Sequence, residues 1–258
     1  EYPLWAAAIK RQEELGAMNA WAFDVQLRCG TTIMAMKVAK SLMLADETIH
    51  TVLLAGGYRN CDFIDYQNER TRFMFNLAAG GGAIILQKNC YENSVLEADL
   101  LTDGSFSEDV VVPVGGTKNP LTPELLAQGE YRLDVLDPEG MKVRLEEKSL
   151  NNFIKVIRSS LAKSGYSEQD IAYLAMLHMK KSAHDYVLKT LGLSPEQSTY
   201  LDHYGHIGQI DQILSLQLAL EQNKIQPGHI VTLVSAGIGY AWGAITIRWG
   251  KDECDGMY

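Results

Sequence analysis

The chain has 258 residues, 47% of them hydrophobic, and a formal net charge of −9. That length suits one large α/β domain or two small ones. The acidic balance, without a long basic run, argues against nucleic acid as the main partner, and no apolar run is long enough to span a membrane. The opening "EYPLWAAAIKRQEELG" shows neither signal peptide nor initiator methionine and runs straight into a helix over about 4–15, as if the chain began inside a fold. Next comes "WAFDVQLRCGTT": Trp21, Phe23, Val25 and Leu27 alternate as in a buried strand, and a helix from 30 to about 44 carries Ile33, Met36, Ala39 and Met43. A strand, "HTVLLAGG", and a polar, aromatic segment follow, then a glycine-rich entry to another strand over 78–87. Residues 98–140, rich in Gly, Pro, Asp and Thr, read as connecting loops.

The second half begins with an amphipathic helix over 147–165, whose Leu150, Phe153, Ile154, Ile157 and Leu161 share one face. "DIAYLAMLH" is a strand, and the helix after it ends at Gly192. A helix over about 207–222, a strand "IVTLVSAG" and a final strand "AWGAITIRW" complete the order. From Cys29 and again from His206 the chain runs corner, helix, strand, return strand. This self-similarity points to an internal duplication with Cys29 and His206 at equivalent corners. The boundaries that follow are a first half at 1–97, connecting loops at 98–140 and a second half at 141–258. A duplicated α/β unit gathers its ligand crevice outside the strand carboxyl ends, which places Cys29 near His206.

Four cysteines, at 29, 61, 90 and 254, lack CxxC pairing, so no zinc site and no disulfide framework follow, and a reducing cytoplasm is the expected compartment. A cysteine at a helix N-terminus has its thiolate favoured by the helix dipole, which makes Cys29 a candidate acyl-accepting nucleophile; the competing reading is a small buried core residue. His178 ends an apolar strand and His206 sits at a strand–helix corner. Two imidazoles beside a thiolate suit acyl transfer, where they orient, protonate or donate to a developing oxyanion. His50, His184, His203 and His229 read as structural. "AAGGGA" lacks the strand–GxGxxG–helix context of a phosphate cradle and reads as close packing. "SAGIGYAWG" reads as a tight turn whose amides suit an oxyanion hole and whose glycines, Gly237 and Gly239 among them, admit substrate.

In these motifs the chain resembles the ketoacyl synthase III group of the thiolase superfamily. "AFDVQLRC" is similar to the family's strand into its active-site cysteine, "MLH" to its histidine strand, and "DHYGHIG" to its "HGN" motif. "FNLAAGGGAIIL" is similar to its "FGDGAGAAVL", and "SAGIGYAWGAITIRW" to its closing hairpin. The resemblance implies a five-layer αβαβα fold of two pseudo-repeated halves, usually a homodimer, with no cofactor or metal beyond thioester substrates. It implies that Cys29 takes an acyl group from acyl-CoA or acyl carrier protein and passes it to a decarboxylating malonyl thioester, a ping-pong Claisen condensation. His178 maps onto the histidine that steadies the malonyl oxyanion, and the backbone amides of Cys29 and Ile238 map onto the acyl oxyanion hole. Tyr2 falls near an aromatic that reaches a partner's acyl pocket, and Lys181, with Lys180 and Lys189, offers a basic surface to a carrier protein or CoA phosphate.

Three departures stand out. His206 replaces the family asparagine, Ala79 replaces an acidic residue, and the family's N-terminal segment has no counterpart, so the first half is expected to be incomplete. The histidine keeps open a second reading, acyl transfer to a small acceptor without decarboxylation. A third is a non-catalytic partner, heterodimeric with a homologous synthase.

Overall fold

The computed structural model describes residues 4–251. Helix α1 (Ala7–Glu14) is fastened at its start by Asp24, whose carboxylate accepts from the amides of Ala7 and Ala8, both at 3.0 Å; an acid there answers the helix dipole. The expected buried strand over 20–28 is not present. Residues 20–26 join no ladder among the described residues, and Trp21 (63% exposed) and Phe23 (48%) stack on each other at the surface. Alternation marks a segment able to pair, but pairing needs a neighbouring strand edge, and none of the described residues supplies one. Burial sets in only toward Cys29, which is 5% exposed.

Helix α2 (Thr31–Ala45) buries Ile33, Met36, Ala39 and Met43, as its spacing predicts. Strands β1 (Thr51–Tyr58) and β2 (Gly80–Gln87) form an antiparallel pair in register from Thr51↔Gln87 to Tyr58↔Gly80. Strand β3 (Glu92–Thr102) crosses residue 97, where the sequence suggests that the first half ends. The turn-forming residues cluster after Thr102, whereas "SVLEADLL" before it has the apolar content of a strand. It lies along the last strand of the chain and becomes an edge of the main sheet. The stretch read as loops also holds the short pair β4 (Val110–Val111) and β5 (Asp134–Val135), and between them helix α3 (Pro123–Ala127).

Helix α4 (Pro138–Lys163) begins well before residue 147. Asp137 accepts from the Gly140 amide at 3.0 Å and Pro138 opens the first turn, a strong start signal. Its buried face (Phe153, Ile154, Val156, Ile157, Leu161) packs on the main sheet. Strand β6 (Ile171–Met176), helix α5 (Lys181–Leu191), helix α6 (Asp211–Glu221), strand β7 (Ile230–Gly237) and strand β8 (Ala241–Lys251) follow. The sheet order is β3-β8-β7-β6, with β6 parallel to β7 and the other neighbours antiparallel. β7 is buried almost end to end, as a continuous apolar run between covered faces requires. The two pseudo-repeats share an order, helix then antiparallel strand pair: α2-β1-β2 and α6-β7-β8.

Candidate active site

Cys29 sits on a tight turn into α2. Arg28 before it takes φ +49, a left-handed conformation that costs a non-glycine residue on the order of 1–3 kcal/mol. The surroundings hold the turn. Thr31 Oγ1 donates to the Arg28 carbonyl at 2.6 Å and accepts from the Leu27 amide at 2.8 Å. Ser235, buried in β7, donates to the Cys29 carbonyl at 2.6 Å. Gly237 at the end of β7 is packed directly against this backbone: a Cβ there would meet the Leu27 oxygen at 2.8 Å and the Cys29 and Gly30 nitrogens at 3.1 Å.

His206 is fixed from the other half of the chain. Its amide donates to the Asn76 carbonyl at 2.8 Å, and its carbonyl accepts from the Ala78 amide at 2.9 Å. The glycines of "AAGGGA" serve as packing surface, since a Cβ on Gly80 would lie 2.8 Å from Ile207. The result brings the two predicted corners together: His206 Nε2 stands 3.1 Å from Cys29 Sγ.

Asp211 was not among the predicted site residues and is central to the arrangement. It is wholly buried at the first position of α6. One oxygen, Oδ2, accepts from His206 Nδ1 at 2.5 Å and from the His178 amide at 2.7 Å; the other accepts from the Ile207 amide at 2.7 Å. A single carboxylate therefore ties the ring of one histidine to the backbone of the other. Its sequence signal was an acid five residues after the corner histidine, at the start of a helix. Burial opposes charge on His206, but the Cys29 thiolate and the Asp211 carboxylate outweigh it and hold the ring up to about 10. His206 is thus held as an imidazolium between Cys29 and a buried carboxylate.

His178 lies two residues beyond the end of β6, with its ring against Tyr200 at 5.0 Å between centroids and its Nδ1 buried without a partner. Burial holds it below the ordinary imidazole value, against the opposing pull of Asp211. It is a neutral ring beside a charged one.

Tyr58, at the end of β1, is a second residue missed in the sequence. Its ring lies 6.1 Å from that of His206, and its phenol is close enough to feel the charges of Cys29 and Asp211. Burial, and then the neighbouring Cys29 charge, push its phenol well above its usual value, so it stays a donor. Gly208, at φ +58, makes room for the ring: a Cβ there would sit 2.4 Å from it. A phenol that turns its hydroxyl to a charged sulfur contributes up to about 1.5–3 kcal/mol. Tyr58→Phe, which keeps the packing and removes the hydroxyl, is accordingly expected to slow alkylation of Cys29 at neutral pH about tenfold. Rates of iodoacetamide labelling check this.

The remaining predicted residues divide. Ile238 and Gly239 (φ +131) form the turn between β7 and β8 next to Gly237. Lys181 is on the surface, paired with Asp185 and 5.5 Å from the Tyr200 ring, so it is one aromatic ring removed from His178 and outside the cluster. Its distance follows from α5 starting three residues after His178. Tyr2 lies outside the described residues. Among the described residues no group of three or more His, Cys, Asp or Glu is placed to hold a metal ion, and no helix is long and apolar enough to cross a membrane.

A cysteine at a helix start, an imidazole from the other half of the chain and a second histidine at a strand end are an arrangement suited to acyl transfer. Models of 3-oxoacyl-[acyl-carrier-protein] synthase III match residues 23–104, and models of its C-terminal region match residues 161–249. The β-ketoacyl-[acyl-carrier-protein] synthase III of Syntrophomonas wolfei is 30% identical over 248 residues, 94% of this chain and 71% of the relative. That of Symbiobacterium thermophilum is 30% identical over 254 residues, 97% and 74%. The solved Thermus thermophilus β-ketoacyl synthase III superposes with a TM-score of 0.80 at 24% identity, over 98% of this chain and 75% of that one. The chain belongs to the 3-oxoacyl-[acyl-carrier-protein] synthase III family, and its class is that of a condensing acyltransferase.

Proposed function

We propose that the protein forms an acyl thioester on Cys29 and condenses it with a malonyl thioester to give a 3-oxoacyl thioester. The observation that carries this is the 3.1 Å contact between Cys29 Sγ and His206 Nε2, which sets a proton-carrying imidazole directly beside the nucleophile. The thiolate attacks the incoming acyl thioester while the amides of Cys29 and Ile238 receive the oxyanion. The carbonyl–sulfur bond to the carrier breaks, and the Nε2 proton of His206 passes to the departing thiolate. A malonyl thioester then binds with its carbonyl oxygen toward His178, which as a neutral ring donates a hydrogen bond to the developing enolate. Loss of carbon dioxide leaves a carbanion that attacks the acyl carbon and expels Cys29 as thiolate. The relatives' names point to acyl carrier protein as the carrier, and the setting of the proposed reaction is fatty acid synthesis in the cytoplasm. Gly237 and Gly239 border the acyl group, Lys181 belongs to the outer carrier-docking face, and the working form is a homodimer.

Single-turnover acylation from acyl-CoA, measured against pH, tests the electrostatics. His206 must be protonated to release the carrier thiol, so acylation is expected to hold through neutrality and fall as pH rises through about 10. Its folded value lies above the ordinary one of about 6.5, so its contribution to stability is present in full below that pH and disappears over the same alkaline window. His178 is shifted the other way, and the decarboxylating half-reaction is expected to keep its rate as pH falls through about 6.5. Release of labelled carbon dioxide from a malonyl thioester on pre-acylated protein measures it; a fall centred at the ordinary histidine value would contradict the neutral-donor role.

A further inference from the structure

Condensation by decarboxylation needs no base, because the carbanion forms by loss of carbon dioxide rather than of a proton. The site nevertheless holds one. His206 Nε2 faces Cys29 Sγ at 3.1 Å, and Nδ1 is held at 2.5 Å by a carboxylate that is wholly buried and fixed at both oxygens by backbone amides. Nucleophile, imidazole and orienting carboxylate in line are the arrangement that lets an imidazole shuttle protons between a nucleophile and a second substrate. The asparagine that the resemblance places at this position donates hydrogen bonds but has no basic nitrogen to take up a proton.

We propose that acyl-Cys29 is also discharged to hydroxyl oxygen, of an alcohol or of water, with His206 as general base and Asp211 as its positioning residue. The inference rests on acylation of Cys29 as described above. When the carrier thiol leaves with the Nε2 proton, the ring is neutral and its lone pair faces the acyl carbon. The incoming hydroxyl gives its proton to Nε2 as its oxygen bonds to that carbon; the carbon–sulfur bond then breaks, Cys29 leaves as thiolate, and the resting pair is restored. The products are an ester, or from water a carboxylic acid, together with the free carrier thiol. The electrostatics agree with this change of role. The Cys29 charge is the first of the forces holding the proton on His206 against burial, and acylation removes it.

The test uses acetyl-CoA without any malonyl thioester, in buffer alone and with glycerol or ethanol added. CoA release is followed over many turnovers, and acyl-Cys29 is followed by intact mass. Expected is continuous release well beyond one equivalent, absent in Cys29→Ala, with acetate in buffer and the acetyl ester growing at its expense as alcohol is raised. In His206→Asn, acylation is expected to slow for want of the Nε2 proton, but acyl-Cys29, once formed, is expected to accumulate and release to stop at a single burst. In Asp211→Asn the amide donates to Nδ1 and forces the proton onto Nε2, so turnover is expected to fall on the order of 10³–10⁴-fold and to lose its dependence on pH across neutrality. Wild-type protein that acylates to one equivalent and stops in every arm would overturn the proposal while leaving the condensing reaction intact. Absence of any acyl increment on Cys29 in wild type and in His206→Asn alike, with no release of CoA, would overturn the acyl-enzyme reading and this one with it.

Discussion

Replacing Asp211 with alanine is expected to be the most damaging single change outside the nucleophile itself. The carboxylate is wholly buried and accepts from the His178 amide, the Ile207 amide and the His206 ring. Removing it strands two backbone donors and an imidazolium in a dry environment. Breaking a buried charge pair by deleting one partner costs about 3–5 kcal/mol, a substantial part of a domain's whole margin of about 5–15 kcal/mol. The expected outcome is a markedly lower denaturation midpoint, together with loss of acyl transfer on the order of 10³-fold or more in whatever fraction folds. Denaturant unfolding read beside acylation rates separates the two effects. A variant with native stability and native rate would show that the carboxylate does not support the histidines.

The second large effect is expected at Gly237. All three close neighbours of a Cβ there are backbone atoms of the Cys29 turn, the Leu27 oxygen at 2.8 Å and the Cys29 and Gly30 nitrogens at 3.1 Å. None of them can swing aside as a side chain would, and Ser235 already pins the Cys29 carbonyl to the same strand. Gly237→Ala must therefore push the turn and β7 apart. Overpacking of this kind costs about 1–3 kcal/mol, but the effect on rate is expected to exceed the effect on stability, because a shift of about 1 Å in a reacting group can cost 10²-fold. Acylation of Cys29 falling about a hundredfold, in a protein that still unfolds cooperatively, is the expected pair of results. A native acylation rate would mean that the turn does not depend on this contact.

Much of this arrangement was legible in the sequence where a local pattern and a long-range contact agree. The spacing of Ile33, Met36, Ala39 and Met43 gave α2, and the apolar run of residues 230–237 gave a covered strand. The pseudo-repeat put Cys29 opposite His206, and the two do meet. Trp21 and Phe23 show the limit of pattern reading: alternation reports the ability to pair, whereas burial depends on a neighbour that lies elsewhere. The start of α4 was missed because its cap, Asp137-Pro138, stands ten residues before residue 147, ahead of the denser apolar stripe of Leu150, Phe153, Ile154 and Ile157. Asp211 and Tyr58 were missed for a common reason. Each is an ordinary residue type at the end of an ordinary element: Tyr58 matters because the fold brings it to His206 from a distant part of the chain, and Asp211 because the turn into α6 folds its carboxylate back onto the His206 ring.

The central claim is a covalent acyl group on Cys29 that moves on to a carbon nucleophile. The most direct measurement is a chase: the protein is loaded with labelled acyl-CoA, freed of excess, digested to locate the label, and in parallel given a malonyl thioester. The account predicts label on the peptide containing Cys29, none in Cys29→Ala, and its transfer into a 3-oxoacyl thioester with one carbon dioxide released for each acyl group moved. Label that persists in Cys29→Ala, or that stays on the protein while carbon dioxide is released, would contradict it.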